Sequence, residues 1–198
     1  MGTTRKWCRT AALVTAAGLI AGCMPNTGRE DLNMMKPAAT AIPSGVTDPR
    51  ASAAVSTYRA FISTSVHAQQ HPRVAVNGKY SEASDFTRYS VDPIQSQYEA
   101  FVTTLARTHH AFRGAPPTST VTVRAIDLDA QPHPMVTLSD CQSKKDAWRA
   151  YNTRTNAMNP QMTPAIPAPY GIIVNVIYVA ERWSVQTIKA DPAGTCSG

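Results

Sequence analysis

Apolar residues recur at intervals of three and four after Asp48, with polar residues on the opposite face, which is typical of an amphipathic helix. Thr47-Asp48-Pro49 supplies a cap residue followed by proline at the first helical position, and Pro72 ends the pattern. We therefore expect a helix that begins at Pro49. Its apolar face is formed by Ala51, Ala54, Val55, Tyr58, Phe61, Ile62 and Val66.

A second helical pattern follows a polar stretch. Asn77-Gly78 indicates a turn, and residues 85–90 are expected to form a short helix. Asp92-Pro93 repeats the start signal, and Gly114, before two prolines, is expected to end the element. The apolar positions at helical spacing are Ile94, Tyr98, Phe101, Val102 and Leu105.

Beyond residue 117 the apolar period changes to two, which predicts strands. Val121 and Val123 alternate out of phase with Ile126 and Leu128, so a bulge is expected near Arg124-Ala125. Further strands are expected at residues 135–142, 147–151, 170–181 and 183–189, with 170–181 central because it is apolar at nearly every position, and a long irregular loop at 152–169. Helices followed by a meandering antiparallel sheet predict one α+β domain over residues 49–198, with the helices on one face of the sheet.

The first 22 residues have the three-part plan of a secretory signal: three positive charges, a short apolar run and small residues before Cys23. An apolar run of about 11 residues rises roughly 17 Å as a helix, too short to span a bilayer. Leu19-Ile20-Ala21-Gly22-Cys23 resembles the lipobox of bacterial lipoproteins. The resemblance implies that residues 1–22 are a cleaved signal peptide and that Cys23 carries palmitate-type acyl chains. The alternative is an ordinary signal with an incidental cysteine.

Residues 23–48 lack sustained apolar periodicity and are expected to form a flexible tether with a span of roughly 25 to 30 Å. An amphipathic segment starting at Met34 and Met35 is the alternative. We thus expect a lipid-anchored protein on the extracytoplasmic face of the cell membrane, with the membrane as its partner through the N-terminal lipid.

The formal charge of +6 gives little support for an anionic partner. Without Arg5, Lys6 and Arg9 of the leader, 16 basic residues face 13 acidic ones, a charge of +3. No basic run with interleaved aromatic residues occurs, so nucleic-acid binding is not expected.

Cysteine usage predicts a disulfide. Cys8 leaves with the leader and Cys23 is consumed by the lipid, so Cys141 and Cys196 remain as an even pair in an exported domain. Such a bond would stabilise the fold by roughly 4 kcal/mol in the chain-entropy description. A reactive thiol pair is the alternative, although no CxxC spacing supports it.

Short motifs at residues 113–116 (RGAP), 136–141 (VTLSDC) and 181–185 (ERWSV), with the terminal Cys196, resemble small secreted and lipid-anchored actinobacterial proteins of the NTF2-like superfamily. The resemblance covers about residues 49–196. It implies a cone between helices and sheet, which in some relatives holds an Asp or His base with Tyr donors. Residues that are candidates to face such a cone are Tyr58, Tyr98, Asp127, Asp140 and Tyr178.

Each candidate also has a purely structural interpretation. The tyrosines fit a core with the hydroxyl at its rim, and Asp140 beside Cys141 fits a structural acceptor at a strand end. A cone filled by Phe61, Phe101 and Tyr98 would favour a noncatalytic role. An open cavity beside a buried acid or base would favour an isomerase-like or dehydratase-like enzyme.

Metal and cofactor chemistry has weak support. His67 and His71 are four residues apart, a spacing that metal sites use, but no third ligand lies near in sequence. His109 and His110 are adjacent and diverge on a helix. No GxSxG, Walker A, GxGxxG or HExxH pattern occurs, so we assign no catalytic residue, metal or cofactor.

These patterns together predict a noncatalytic surface lipoprotein that binds a small apolar ligand or docks on another envelope protein. The alternatives are the small enzyme above and a phage- or prophage-encoded lipoprotein that excludes competitors.

Overall fold

The computed structural model describes residues 48–143, 148–162 and 169–192, together with Cys196. Two helices and six strands account for most of them. The elements are α1 (Pro49–Gln70), α2 (Ile94–Arg107), β1 (His110–Arg113), β2 (Thr118–Asp127), β3 (Met135–Ser143), β4 (Arg149–Asn152), β5 (Tyr170–Val179) and β6 (Arg182–Ala190). Short 3-10 turns lie at Glu82–Ser84, Phe86–Tyr89 and Pro160–Met162. The α+β class predicted from the periodicities is confirmed.

α1 begins where its capping signal predicts. The Asp48 carboxylate accepts a hydrogen bond from the Arg50 backbone N–H at 2.8 Å, and Pro49 occupies the first helical position, where no N–H is needed. The Arg50 guanidinium lies 2.7 Å from the same carboxylate and lowers the pKa of Asp48 to about 2. At the other end the His71 N–H donates to the His67 carbonyl, just before Pro72.

α2 is shorter than its apolar pattern predicts. Asp92 accepts from the Ser96 N–H at 3.2 Å and so caps its first turn, but the helix ends at Arg107. His109 then takes a left-handed conformation with φ 55°, and the chain continues as β1. The prediction that this element runs helically to Gly114 is wrong. The expected short helix at residues 85–90 is instead the 3-10 turn Phe86–Tyr89.

Four strands form one antiparallel sheet in the order β2-β3-β5-β6. The register of β2 against β3 shifts between Val123 and Ala125, which confirms the predicted bulge. β5 pairs on both edges, with β3 and with β6, so its predicted central place is confirmed. Along β3 the buried side chains alternate: Val136, Leu138 and Asp140 share the face that packs under α1.

The third predicted strand, residues 147–151, does not belong to this sheet. β4 pairs antiparallel with β1, from His110 opposite Asn152 to Arg113 opposite Arg149, and forms a separate two-stranded sheet. The prediction that the segment is part of a single meander is wrong, because β1 offers it a partner and β3 pairs directly with β5. A small apolar cluster under this second sheet is formed by Leu105, Phe112 and Ala150.

Candidate functional site

Asp140 is the one fully buried carboxylate among the described residues, and three side chains donate hydrogen bonds to it. Its Oδ2 accepts from the Tyr58 hydroxyl at 2.7 Å and from Gln142 Nε2 at 2.9 Å, and its Oδ1 accepts from Ser119 Oγ at 2.6 Å. The register places Ser119 opposite Gln142, two residues from Asp140, so all three share the sheet face toward α1.

The network continues into β5. Gln142 Oε1 accepts from the Tyr170 hydroxyl at 2.6 Å, which fixes the amide with its nitrogen toward Asp140. No Lys, Arg or His nitrogen lies within 4.0 Å of the Asp140 carboxylate in the part of the chain that the structure describes. Among the described residues the carboxylate is therefore balanced by hydrogen-bonding dipoles, and each donor matters because burying an unpaired charge is costly.

The tyrosines near this network titrate above their ordinary range. Burial, and after it the charge of Asp140, raises the pKa of Tyr58. The same two causes raise the pKa of Tyr170, and burial raises the pKa of Tyr98 to about 12. All three phenols hence keep their protons at neutral pH, and those of Tyr58 and Tyr170 serve as hydrogen-bond donors in the network.

A cleft of about 290 Å³ lies between α1 and the segment leading into β2. Two of its lining residues, Tyr58 and Ser119, are the hydroxyl donors to Asp140, so the cleft borders the polar network. Its remaining lining residues are mostly apolar: Arg59, Ile62, Ser63, Val66, Pro116 and Pro117.

Beside the network the interior is filled by aromatic rings. Phe61 meets Tyr98 edge to face with centroids 5.0 Å apart, and Phe86 meets Tyr98 at 5.9 Å and Phe61 at 6.5 Å. Of the three residues whose filling of the interior would favour a noncatalytic role, Phe61 and Tyr98 lie in this cluster and Phe101 does not. Phe101 is 36% exposed and packs on Phe112, and Phe86 occupies the interior instead.

The five candidates from the sequence divide into three groups. Tyr58 and Asp140 meet in the network, and Tyr98 lies in the aromatic cluster. Asp127 is exposed at the end of β2, where it accepts from the Asp129 N–H, and Tyr178 is 41% exposed against Trp183. Neither Asp127 nor Tyr178 takes part in the network.

Sequence reasoning did not identify three members of the network. Ser119 and Gln142 carry a usable signal, because period two puts Gln142 on the same face as Asp140 and Ser119 on the face of Val121 and Val123. Tyr170 could be recognised only from the pairing of β5 with β3.

The histidines do not form a metal centre. The His67 and His71 rings are 4.7 Å apart, and His67 Nδ1 lies 2.8 Å from Ser84 Oγ. Within the described ranges no group of three His, Cys, Asp or Glu side chains is placed to hold a metal ion. His110 Nδ1 lies 3.0 Å from Thr108 Oγ1, and its Nε2 lies 3.1 Å from the Asn159 amide nitrogen.

Cys141 and Cys196 form the predicted disulfide, with Cα atoms 5.5 Å apart. Cys196 is thereby tied to β3, next to Asp140. Cys23, the signal and the tether lie outside the described residues, and their assignments stay predictions. None of the helices that the structure describes is long and apolar enough to cross a bilayer.

Comparison with known proteins identifies no family for this chain. No protein-family model and no curated protein matches it. The crystal structure of the intermembrane space region of the chloroplast protein ARC6 superposes with a TM-score of 0.41 at 9% sequence identity, covering 68% of this chain and 94% of that one. A likeness this distant carries no argument about function, so the site must be interpreted from its own geometry.

Proposed function

We propose that this chain is the precursor of a lipid-anchored extracytoplasmic protein whose domain at residues 49–198 binds a small ligand or docks on another envelope protein without catalysing a reaction. The observation that carries the noncatalytic part is the state of Asp140. Both carboxylate oxygens accept hydrogen bonds from side chains, and the residue is fully buried. A general base needs hydrogen-bond reach to a substrate proton, which this arrangement does not offer.

The filled interior supports the same proposal. An isomerase or dehydratase built on a cone needs room for substrate beside its base, whereas Phe61, Phe86 and Tyr98 pack with Tyr58 into one filled core cluster. We propose the NTF2-like cone as the finer description of the fold, supported by helices that precede and cover one face of an antiparallel sheet.

Export is supported by the disulfide, because such bonds persist in oxidising compartments. The lipid anchor is supported by the leader, whose charges, apolar run and small residues precede Cys23 in the order of a lipoprotein signal. Acylation at that residue would hold the domain at the membrane surface through more than one chain.

The anchor is tested by expressing the full chain in a bacterial host fed an alkyne analogue of palmitate. The natural sequence should label and sediment with membranes, and Cys23→Ser should lose both properties. Cys8→Ser is the matched control and should change neither. An unlabelled wild-type protein in the soluble fraction, or a Cys23→Ser variant that still labels, would overturn the proposed anchor.

A further inference from the structure

The cleft beside α1 is bordered by two hydroxyl groups, those of Tyr58 and Ser119. Tyr58 and Ser119 each have a single hydroxyl hydrogen, and each donates it to Asp140. Toward any other group their oxygens can therefore only accept. Tyr58 is fully buried and Ser119 is exposed, so Ser119 Oγ is the acceptor that a ligand can reach. A ligand group beside Ser119 Oγ is favoured if it is a donor and disfavoured if it is an acceptor.

The charge behind the two hydroxyls favours a positively charged donor. Asp140 is fully buried, where the low dielectric strengthens its field, and no basic side chain lies within 4.0 Å of it in the described ranges. Arg59 also lines the cleft, but it is exposed, so solvent and salt screen its charge.

The walls suit an apolar body. Ile62 and Val66 from α1 face Pro116 and Pro117 from the segment before β2, and none of the lining residues is acidic. Apolar walls with a few convergent polar groups at one end are typical of small-ligand sites.

We propose that this cleft binds a small amphiphilic amine, with its apolar body between α1 and the two prolines and its ammonium group donating to the Ser119 hydroxyl oxygen. This inference rests on the proposed binding role and names the chemical class of the ligand.

The test is a calorimetric titration of the full chain carrying Cys23→Ser with three matched compounds: 2-phenylethylamine, 2-phenylethanol and phenylacetate. We expect the amine to bind about 5- to 10-fold more tightly than the alcohol, because hydrogen bonds to charged groups are stronger, and phenylacetate to bind most weakly. Equal affinities, or tighter binding of phenylacetate, would overturn the inference.

Variants locate the effect. Asp140→Asn keeps the shape and removes the charge, so the preference for amine over alcohol should fall to about onefold. Ser119→Ala should weaken amine binding several-fold, and Thr120→Ala, on the opposite face of β2, should leave it unchanged. If Asp140→Asn does not fold, the three-compound titration and Ser119→Ala still test the proposed amine binding.

Persistence of the amine preference in folded Asp140→Asn, or absence of binding by all three compounds, would overturn the inference. Neither result affects the anchor at Cys23, which the palmitate labelling tests separately.

Discussion

Tyr58 and Phe61 lie about one turn apart on the buried face of α1, yet they enter two different kinds of interior. Phe61 packs among Phe86 and Tyr98, where contacts are between ring faces and edges. Tyr58 donates to Asp140, where each contact has a direction and a partner. Both side chains are fully buried. The difference is thus one of chemistry and not of depth.

The comparison shows which kind of substitution each region should tolerate and which should destabilise it. Ring packing depends on volume, so shape-conserving replacements are tolerated and large deletions are costly. The polar network depends on pairing, so losing one hydroxyl matters even when the volume barely changes. The aromatic cluster accordingly stabilises the domain, and the polar network gives the adjacent cleft its selectivity.

The largest expected effect comes from emptying the aromatic cluster. Phe61→Ala should lower the free energy of unfolding by about 3–5 kcal/mol in urea denaturation, because the rings around it leave a cavity. Phe61→Leu, the matched control, should lose distinctly less. Similar losses for the two variants would show that volume does not govern this region.

The hydroxyls of Tyr58 and Tyr98 sharpen the comparison. Tyr58→Phe removes a donor to a buried carboxylate and should cost about 1–3 kcal/mol. Tyr98→Phe should cost less than about 0.5 kcal/mol, since the described residues provide no hydrogen bond to its hydroxyl. Equal costs in denaturant titrations would remove the distinction between the two regions.

Alkaline pH gives a smaller effect with a defined sign. The folded-state pKa of Tyr98 is about 12 and that of Tyr58 is also raised, whereas an unfolded tyrosine titrates near 10. The unfolded chain therefore loses protons first, so stability is fully present below about pH 10 and falls as pH rises toward the folded values. Tyr98→Phe should remove about 1 kcal/mol of the loss between pH 10 and 11, measured by urea midpoints. An unchanged slope in this variant would contradict the assignment.

Much of the fold can be predicted from local patterns, because helix capping and the apolar periods of helices (3.6 residues) and strands (two residues) depend on residues close in sequence. Asp48-Pro49 predicts the start of α1, and the phase change after Val123 predicts the bulge. β1 is not predicted by such patterns, since His110–Arg113 extends the apolar helical spacing of α2, whereas the left-handed conformation of His109 ends the helix before it. Its pairing with β4 joins residues about forty positions apart and has no local signal.

The candidate site, too, could be predicted only where it depends on residues close in sequence. Tyr58 and Asp140 were recognised as residues that face the interior, and the acceptor role of Asp140 was anticipated. The donors Ser119, Gln142 and Tyr170 depend on the register of three strands, which residue types alone do not determine. Phe86, and not Phe101, packs in the interior, and this likewise depends on how α2 is rotated against its neighbours.

The central claim is that the polar network around Asp140 borders a binding cleft. It is tested most directly by an amide NMR titration of the full chain carrying Cys23→Ser with 2-phenylethylamine. The account predicts saturable shifts centred on Tyr58, Ile62 and Ser119, with no comparable shifts when phenylacetate is added. Shifts centred elsewhere, or the same pattern for both compounds, would contradict it.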